Sequence, residues 1–433
     1  MESNFNNYLR FFYIIIVCVG TLYIFFKRRK LDFVSIYFFS SVLYFFPVLL
    51  GKFQAFVFTE TSFYYEPNEI FYKVYIILIL NSIFCIIWMI GKDSISGGFI
   101  EIPEEQLNDY QSLLILICNV LILIINTFLI YRLKQYIFTP NFDKTILLEN
   151  TSILDTFALN ATYFLFVVSF CFSMRWSKTI KLLSLMMLVY PFLLAKRSEI
   201  VLGIIAIAYT WISKIKYDSL WDLLKKKKKI ILIGSIFFIT VFLSKEILNY
   251  AAQGDWKTVL NYLTKDGVLW ESIIYSEPNV ITSNLNEIVR LAIDAEGDSY
   301  RFAMLGFVPF IGTLSNSILV PEEFYTIYQP IVYPDLKGWG AGNCFLGEAY
   351  SNGGWVLLLC VIILLCSVLS FLERYIYKGK NQFMKASCLA IMPYLAFYIH
   401  RNTFYFSIRE MRSLIVLGIL FNLINLFINI NKS

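Results

Sequence analysis

The stretch FFYIIIVCVGTLYIFF, residues 11–26, carries no charge and runs directly into KRRK at 27–30. Runs of this kind, roughly 15 to 25 residues long, recur along the whole chain and fit a hydrocarbon core of about 30 Å when helical. Their number, with 58% apolar and 18% aromatic residues and a mean hydropathy of +0.64, excludes an ordinary soluble domain. The expected fold is all-α, a polytopic integral membrane protein of about 11 transmembrane helices. The spans are expected near 8–26, 33–51, 71–91, 112–131, 153–174, 179–195, 199–213, 230–248, 352–372, 384–400 and 411–430.

Lys and Arg set the orientation. With the N-terminus outside, 20 of the 37 cations fall on the cytoplasmic side, in KRRK, at Lys92, in RWSKTIK (175–181), in KIKYDSLWDLLKKKKK (214–229), in ERYIYKGKNQFMK (373–385) and at Lys432. That distribution follows the positive-inside rule. KRRK immediately after the first run reads as an anchor flank, not a cleaved leader. The five-lysine run is most simply a topology signal beside anionic lipid.

The net charge of +6 carries no nucleic-acid signal. Seven of the eight cysteines lie inside apolar runs, where a thiol acts as a small hydrophobe, and Cys344 alone is expected to be exposed; no disulfide framework follows. With one histidine, His400, the chain lacks the ordinary His and Cys metal spacings. No cofactor and no metal is expected.

One long connection, about 245–343, falls outside the cytoplasm in this topology, and connections of that length are usually structured or functional. VITSNLNEIVRLAIDAEG within it fits an amphipathic helix, and FAMLGFVPFIGTLSNSILV is apolar enough to dip into the interface. Without repeats or low-complexity linkers, residues 1–433 read as a single transmembrane domain with a partly helical periplasmic loop.

Charges on the outer side resist the bland reading. PFLLAKRSEIVLG puts Lys196, Arg197 and Glu199 between two runs of only about 14 strongly apolar residues, some 21 Å of helix each, so the turn is expected below the outer membrane surface. Such charges either line a cavity or pair with one another and snorkel. Arg290, Arg301, Arg401, Arg409 and Arg412 also lie on this side, and a guanidinium fork suits phosphate. Repeated cations here suggest an anionic ligand such as an isoprenoid pyrophosphate. In GWGAGNCFLGEAYSNGGWVLLL, Glu348 and Asn352 share a helix face, and the glycines allow an irregular start to the following span. Glu348 is a candidate base for a sugar hydroxyl, or a structural partner of an arginine. His400 is an alternative base, a cation beside Arg401, or an interface residue.

This layout, with AKRSEIVLG, the Gly-rich run leading through Glu-x-Tyr into a span, and RFAMLGFVPFIG with Arg301 and Gly312, resembles the O-antigen polymerase (Wzy) family of oligosaccharide repeat unit polymerases. The resemblance implies a metal-independent, C-type glycosyltransferase-like enzyme of the bacterial inner membrane, active at the periplasmic face. It would transfer a growing glycan from undecaprenyl pyrophosphate to an incoming lipid-linked unit in O-antigen or capsule synthesis, with a chain-length regulator as a possible partner. The related ligases carry a histidine before the same helix, where this chain reads Gly340, Ala341, Gly342, Asn343. Arg197, Arg301 and Arg401, with Arg290 and Arg409 in reserve, are expected to hold pyrophosphate; Glu348 or His400 to serve the acceptor hydroxyl; Lys196, Glu199 and Asn352 to support. The rivals are a flippase of the same lipid-linked glycan, which needs no long external loop, and a single-sugar transferase. Against the latter, the first external loop offers Glu60, Glu66 and Glu69 without an aspartate signature.

Overall fold

The computed structural model describes residues 2–28, 30–58, 63–96, 106–137, 146–147, 150–194, 196–215, 217–228, 277–305, 307, 323–335 and 342–430, with single residues at 257, 260, 261 and 264. The expected span 230–248 and Gly312 lie outside them, as does the loop stretch from 308 to 322. Six helices among the described residues are long and apolar enough to cross a membrane: Asn4–Lys27, Tyr72–Asp93, Asp109–Ile137, Ile153–Cys171, Phe345–Lys378 and Phe404–Phe427. The protein is thus a helical multi-pass membrane protein. The other described helices are shorter. The chain divides into two compact units, residues 1–103 with 276–422, and 104–275 with 423–433.

In the first unit, α1 (Glu2–Leu22) ends in a π-turn and is followed by α2 (Phe33–Tyr44) and α3 (Phe46–Leu50). The first external loop is not irregular: β1 (Lys52–Phe58) and β2 (Phe63–Glu69) form an antiparallel hairpin, with Ala55 opposite Glu66. In KFQAFVF the buried Phe53 and Ala55 alternate with the more open Lys52 and Gln54, the period-two pattern of a half-buried strand. Glu66 and Glu69 are exposed on β2.

α4 (Tyr72–Ser96) lies parallel to the long C-terminal helix Phe345–Lys378. Lys73 meets Tyr350 at 3.5 Å at one end, Trp88 Nε1 donates to Ser370 Oγ at 2.9 Å further along, and Lys92 pairs with Glu373 at the other.

At that second end three carboxylates meet three cations. Arg28 binds Asp32 and Asp93, each at 2.7 Å; Lys92 reaches Asp32 at 3.0 Å and Glu373; Lys30 reaches Glu373 at 2.8 Å. Tyr23 donates to Asp93 at 2.7 Å. Asp32 and Glu373 are buried, so these pairs need each other: a carboxylate left alone in such surroundings is strongly destabilising. Arg28 and Lys30 of KRRK are therefore internal braces as well as a topology signal.

The other described elements of this unit are α10 (Glu277–Arg290), α11 (Asp298–Leu305), α12 (Phe324–Val332), α13 (Phe345–Lys378), α14 (Gln382–Ala396), a 3₁₀ turn Tyr398–Arg401 and α15 (Phe404–Ile430). α10 is the helix expected from VITSNLNEIVR, but it does not lie half-exposed at an interface. Nearly every residue is buried, and Asn279 and Asn286 accept from the backbone N–H groups of Gln54 and Phe71 at 3.2 and 2.8 Å. Its polar face closes on the hairpin where amphipathicity alone would turn it to water. Cys344 is likewise buried, packed as the residue before α13, while Cys18 and Cys360 are exposed on apolar helix faces.

The second unit holds α5 (Asp109–Ile137), α6 (Ile153–Cys171), α7 (Ser177–Met187), α8 (Val189–Leu193) and α9 (Arg197–Ser213). Polar side chains pair between them, as lipid offers no partners: Asn126 donates to Thr162 at 2.9 Å, its Oδ1 having no partner among the described residues, and Ser184 lies 2.7 Å from Asn119 and 2.6 Å from Ser169. Gly203 lets α9 approach α6; a Cβ there would fall 2.6 Å from the Phe166 ring.

Arg28→Ala removes one of the two cations on the buried Asp32, leaves Lys92 in place, and is expected to cost about 1.5–3 kcal/mol. Adding Asp32→Ala should recover part of that loss, a coupling that thermal melting of the four purified proteins of the cycle would measure.

Candidate functional site

The site candidates of the first unit gather at the end of the bundle that carries the hairpin, around the start of α13. That helix is broken at Gly353–Gly354. Gly354 sits at φ 59°, ψ −147°, a conformation that side-chain-bearing residues rarely adopt. Residues 345–352 consequently form a short separate turn of helix ahead of the span proper, the irregular start that the glycines predict.

Glu348 lies on this turn and is 1% exposed. Its Oε2 accepts from Asn343 Nδ2 at 3.2 Å and from the Phe404 backbone N–H at 2.9 Å. Asn352, one turn on, donates through Nδ2 to the Glu348 carbonyl at 2.7 Å and to Ser299 Oγ at 2.6 Å. Phe404 stacks on Phe345 at 5.4 Å and packs near Tyr300 at 5.0 Å, walling the carboxylate. Three oxygens around it, Asn343 Oδ1, Asn352 Oδ1 and Tyr300 Oη, are buried and have no hydrogen-bond partner among the described residues. Enclosed acceptors of this kind are costly unless something donates to them.

Asn343 ties this carboxylate to the arginine turn, because its backbone N–H donates to the Arg401 carbonyl at 3.1 Å. Arg401 is 30% exposed, gives Nη1 to Glu277, and lies over the Tyr398 ring at 5.1 Å. Its Nε and Nη2 have no hydrogen-bond partner among the described residues.

The other predicted cations are paired at the surface. Arg290 holds Glu287 on its own helix, Arg301 holds Asp298 at 3.1 Å, and Arg409 holds Glu410 at 3.0 Å while covering Phe406 at 4.9 Å. Arg301 is 72% exposed, so its ion pair contributes little.

His400 is fully buried and points elsewhere. Its ring stacks on Tyr37 at 4.9 Å, with Tyr44 and Phe45 closing the cage, and its Nε2 lies 3.0 Å from Ser40 Oγ. The Ser40 hydroxyl sits 2.6 Å from the Ala396 carbonyl and 2.8 Å from that of Tyr37. The Ser40 hydroxyl thus joins the His400 ring to two backbone carbonyls. Nδ1 of His400 has no partner among the described residues.

The stretch around Lys196 belongs to the second unit. The tight turn exists there: Lys196 N–H donates to the Pro191 carbonyl at 2.8 Å, α9 starts at Arg197, and Ser198 donates to Glu199 at 2.9 Å. The side chain of Arg197 lies outside the described residues.

One residue escaped the sequence reading. Glu323, the N-cap of α12, accepts from Thr403 Oγ1 at 2.9 Å, so the consecutive residues Thr403 and Phe404 hold two carboxylates, Glu323 and Glu348. Its signal in the sequence is the paired acid in PEEF just before an aromatic helix. Burial pushes the Glu323 carboxyl up from its ordinary value, against the Thr403 hydrogen bond and the pull of Arg409. The native protein then binds a proton more readily than the unfolded chain does. Stability from this group is fully present below the ordinary glutamate pKa and is lost as pH rises through the raised one. Glu323→Gln should flatten that decline, so a melting-temperature profile from pH 4 upward should fall less steeply in the variant.

Residues 322–432 match the model of the family described as O-antigen polysaccharide polymerase Wzy. The match spans Glu323, Asn343, Glu348, His400, Arg401, Thr403, Phe404 and Arg409. No curated protein and no solved structure matches the chain. The similarity to that family is carried by this C-terminal stretch, which contains both carboxylates and the turn that holds them.

Proposed function

We propose that the protein polymerises lipid-linked oligosaccharide repeat units at the periplasmic face of the bacterial inner membrane. The growing glycan leaves undecaprenyl pyrophosphate and is joined to the distal sugar of an incoming undecaprenyl-pyrophosphate-linked unit. The observation that carries this reading is Asn343, which binds the Glu348 carboxylate with its side chain and the Arg401 carbonyl with its backbone. A candidate base and a candidate phosphate ligand are thereby held in register.

In the step itself an acceptor hydroxyl attacks the anomeric carbon of the donor. The new C–O bond forms as the bond to pyrophosphate breaks; the proton passes to Glu348, and the lipid pyrophosphate departs with the bonding electrons. Arg401 meets the charge that develops on the leaving oxygen, using the guanidinium edges that Glu277 does not occupy. The unpaired oxygens of Asn343, Asn352 and Tyr300 favour a sugar that presents hydroxyl donors. Neither metal nor cofactor enters this chemistry.

His400 acts as a positioning residue in this reading. Its aromatic cage fixes the turn that presents Arg401, and its ring faces α2. Arg290, Arg301 and Arg409 are reserve phosphate ligands that would have to exchange their own carboxylates for the ligand. Arg197, supported by Lys196 and Glu199, keeps a phosphate role on its sequence context. A chain-length regulator remains a proposed partner.

Glu348→Gln keeps shape and removes basicity, so polymer formation should drop about 10²-fold or more while the protein stays in the membrane at its normal level. Glycan profiles of a complemented deletion strain would read this; chains of wild-type length would dismiss Glu348 as the base. Arg401→Ala should leave predominantly single repeat units on lipid A in the same assay, about a 10²–10³-fold loss of transfer. Arg197→Ala is expected to give the same profile, and normal chains there would remove it from the phosphate site.

A further inference from the structure

The second unit contains a cavity of about 240 Å³ lined by Phe170, Cys171, Ser173, Ser177, Lys181 and Lys214, among others. It lies where α6 ends and α7 begins, beside the C-terminus of α9, and is several times the roughly 30 Å³ that one water occupies. Two cations face it, Lys181 and Lys214, and neither has a carboxylate partner among the described residues. The nearby Arg175 is spoken for by Asp109 at 2.8 Å. Lys181 Nζ lies over the ring of Phe170, itself a lining residue, at 5.7 Å.

Two unneutralised ammonium groups at one half-enclosed cavity repel each other, and an anion between them removes that cost. The surrounding groups add donors: the Ser177 hydroxyl lines the cavity, and the first turn of α7 has no side-chain cap on its N–H groups. The exposed Lys178 and the lysines at 225–228 belong to the same set of cations that the positive-inside pattern assigns to the cytoplasmic surface. Two cations with Phe170, Phe172 and Met174 beside them suit an amphiphile whose head is anionic.

We propose that this cavity binds a phosphate group, clamped between Lys181 and Lys214, as the headgroup of an anionic phospholipid or as a soluble phosphate.

The test uses the purified full-length protein in detergent and follows thermal melting with added phosphatidylglycerol, phosphatidylcholine or inorganic phosphate. Phosphatidylglycerol should raise the melting temperature of the wild type and of a Lys178→Ala/Lys227→Ala control by several degrees. In Lys181→Ala/Lys214→Ala the rise should vanish, and in Lys181→Arg/Lys214→Arg it should return. A response to phosphatidylglycerol alone identifies the lipid headgroup, whereas an equal lysine-dependent response to millimolar phosphate identifies a soluble anion. Should the double alanine variant fail to fold, the single Lys181→Gln and Lys214→Gln proteins take its place, with native mass spectrometry counting bound phosphatidylglycerol; each should retain fewer copies than wild type. Variants that respond and retain lipid as the wild type does, or a wild type that responds to neither anion, overturn the proposal.

Discussion

Hydrocarbon offers no hydrogen bonds, and that constraint orders this protein more than any single contact. Every polar side chain that the apolar helices carry inward must find a partner in the protein. At one end of the first unit the demand is met by the Arg28, Lys30, Lys92, Asp32, Asp93 and Glu373 network, which pins α2, α4 and α13 in register. In the second unit it is met by short ladders of Asn, Ser and Thr.

The opposite end of the first unit departs from that rule, and the departure is where chemistry is proposed. Glu348 is held by two donors, yet the neighbouring oxygens of Asn343, Asn352 and Tyr300 are left without partners among the described residues. Folding tolerates such groups when the rest of the structure over-determines their positions. Here the broken start of α13, the α10 wedge on the hairpin and the caged His400 turn do so together. In the proposed reaction the sugar hydroxyls are the donors that these oxygens lack.

Much of this was legible in the residues themselves. Glu348 and Asn352 at a four-residue spacing ahead of a glycine pair told of a shared face and a broken helix, and both are found. Arg401 beside His400 marks the candidate turn at Tyr398–Arg401, although the histidine turns inward. Cys344 and Glu323 were misjudged because local composition says nothing about what a loop folds against. Arginines 290, 301 and 409 were singled out for facing the wrong way, while their carboxylate neighbours three residues or one residue away were set aside.

The sequence by itself determined that the chain is a helical membrane protein, because the length and apolarity of its runs are matched to a bilayer whatever they pack against. Only the tertiary structure decided that Thr403 and Phe404 hold two carboxylates, that Asn343 joins Glu348 to Arg401, and that KRRK contributes internal braces. Those are pairings across 5 to 343 positions of sequence, fixed by the packing of helices and turns that no local pattern encodes.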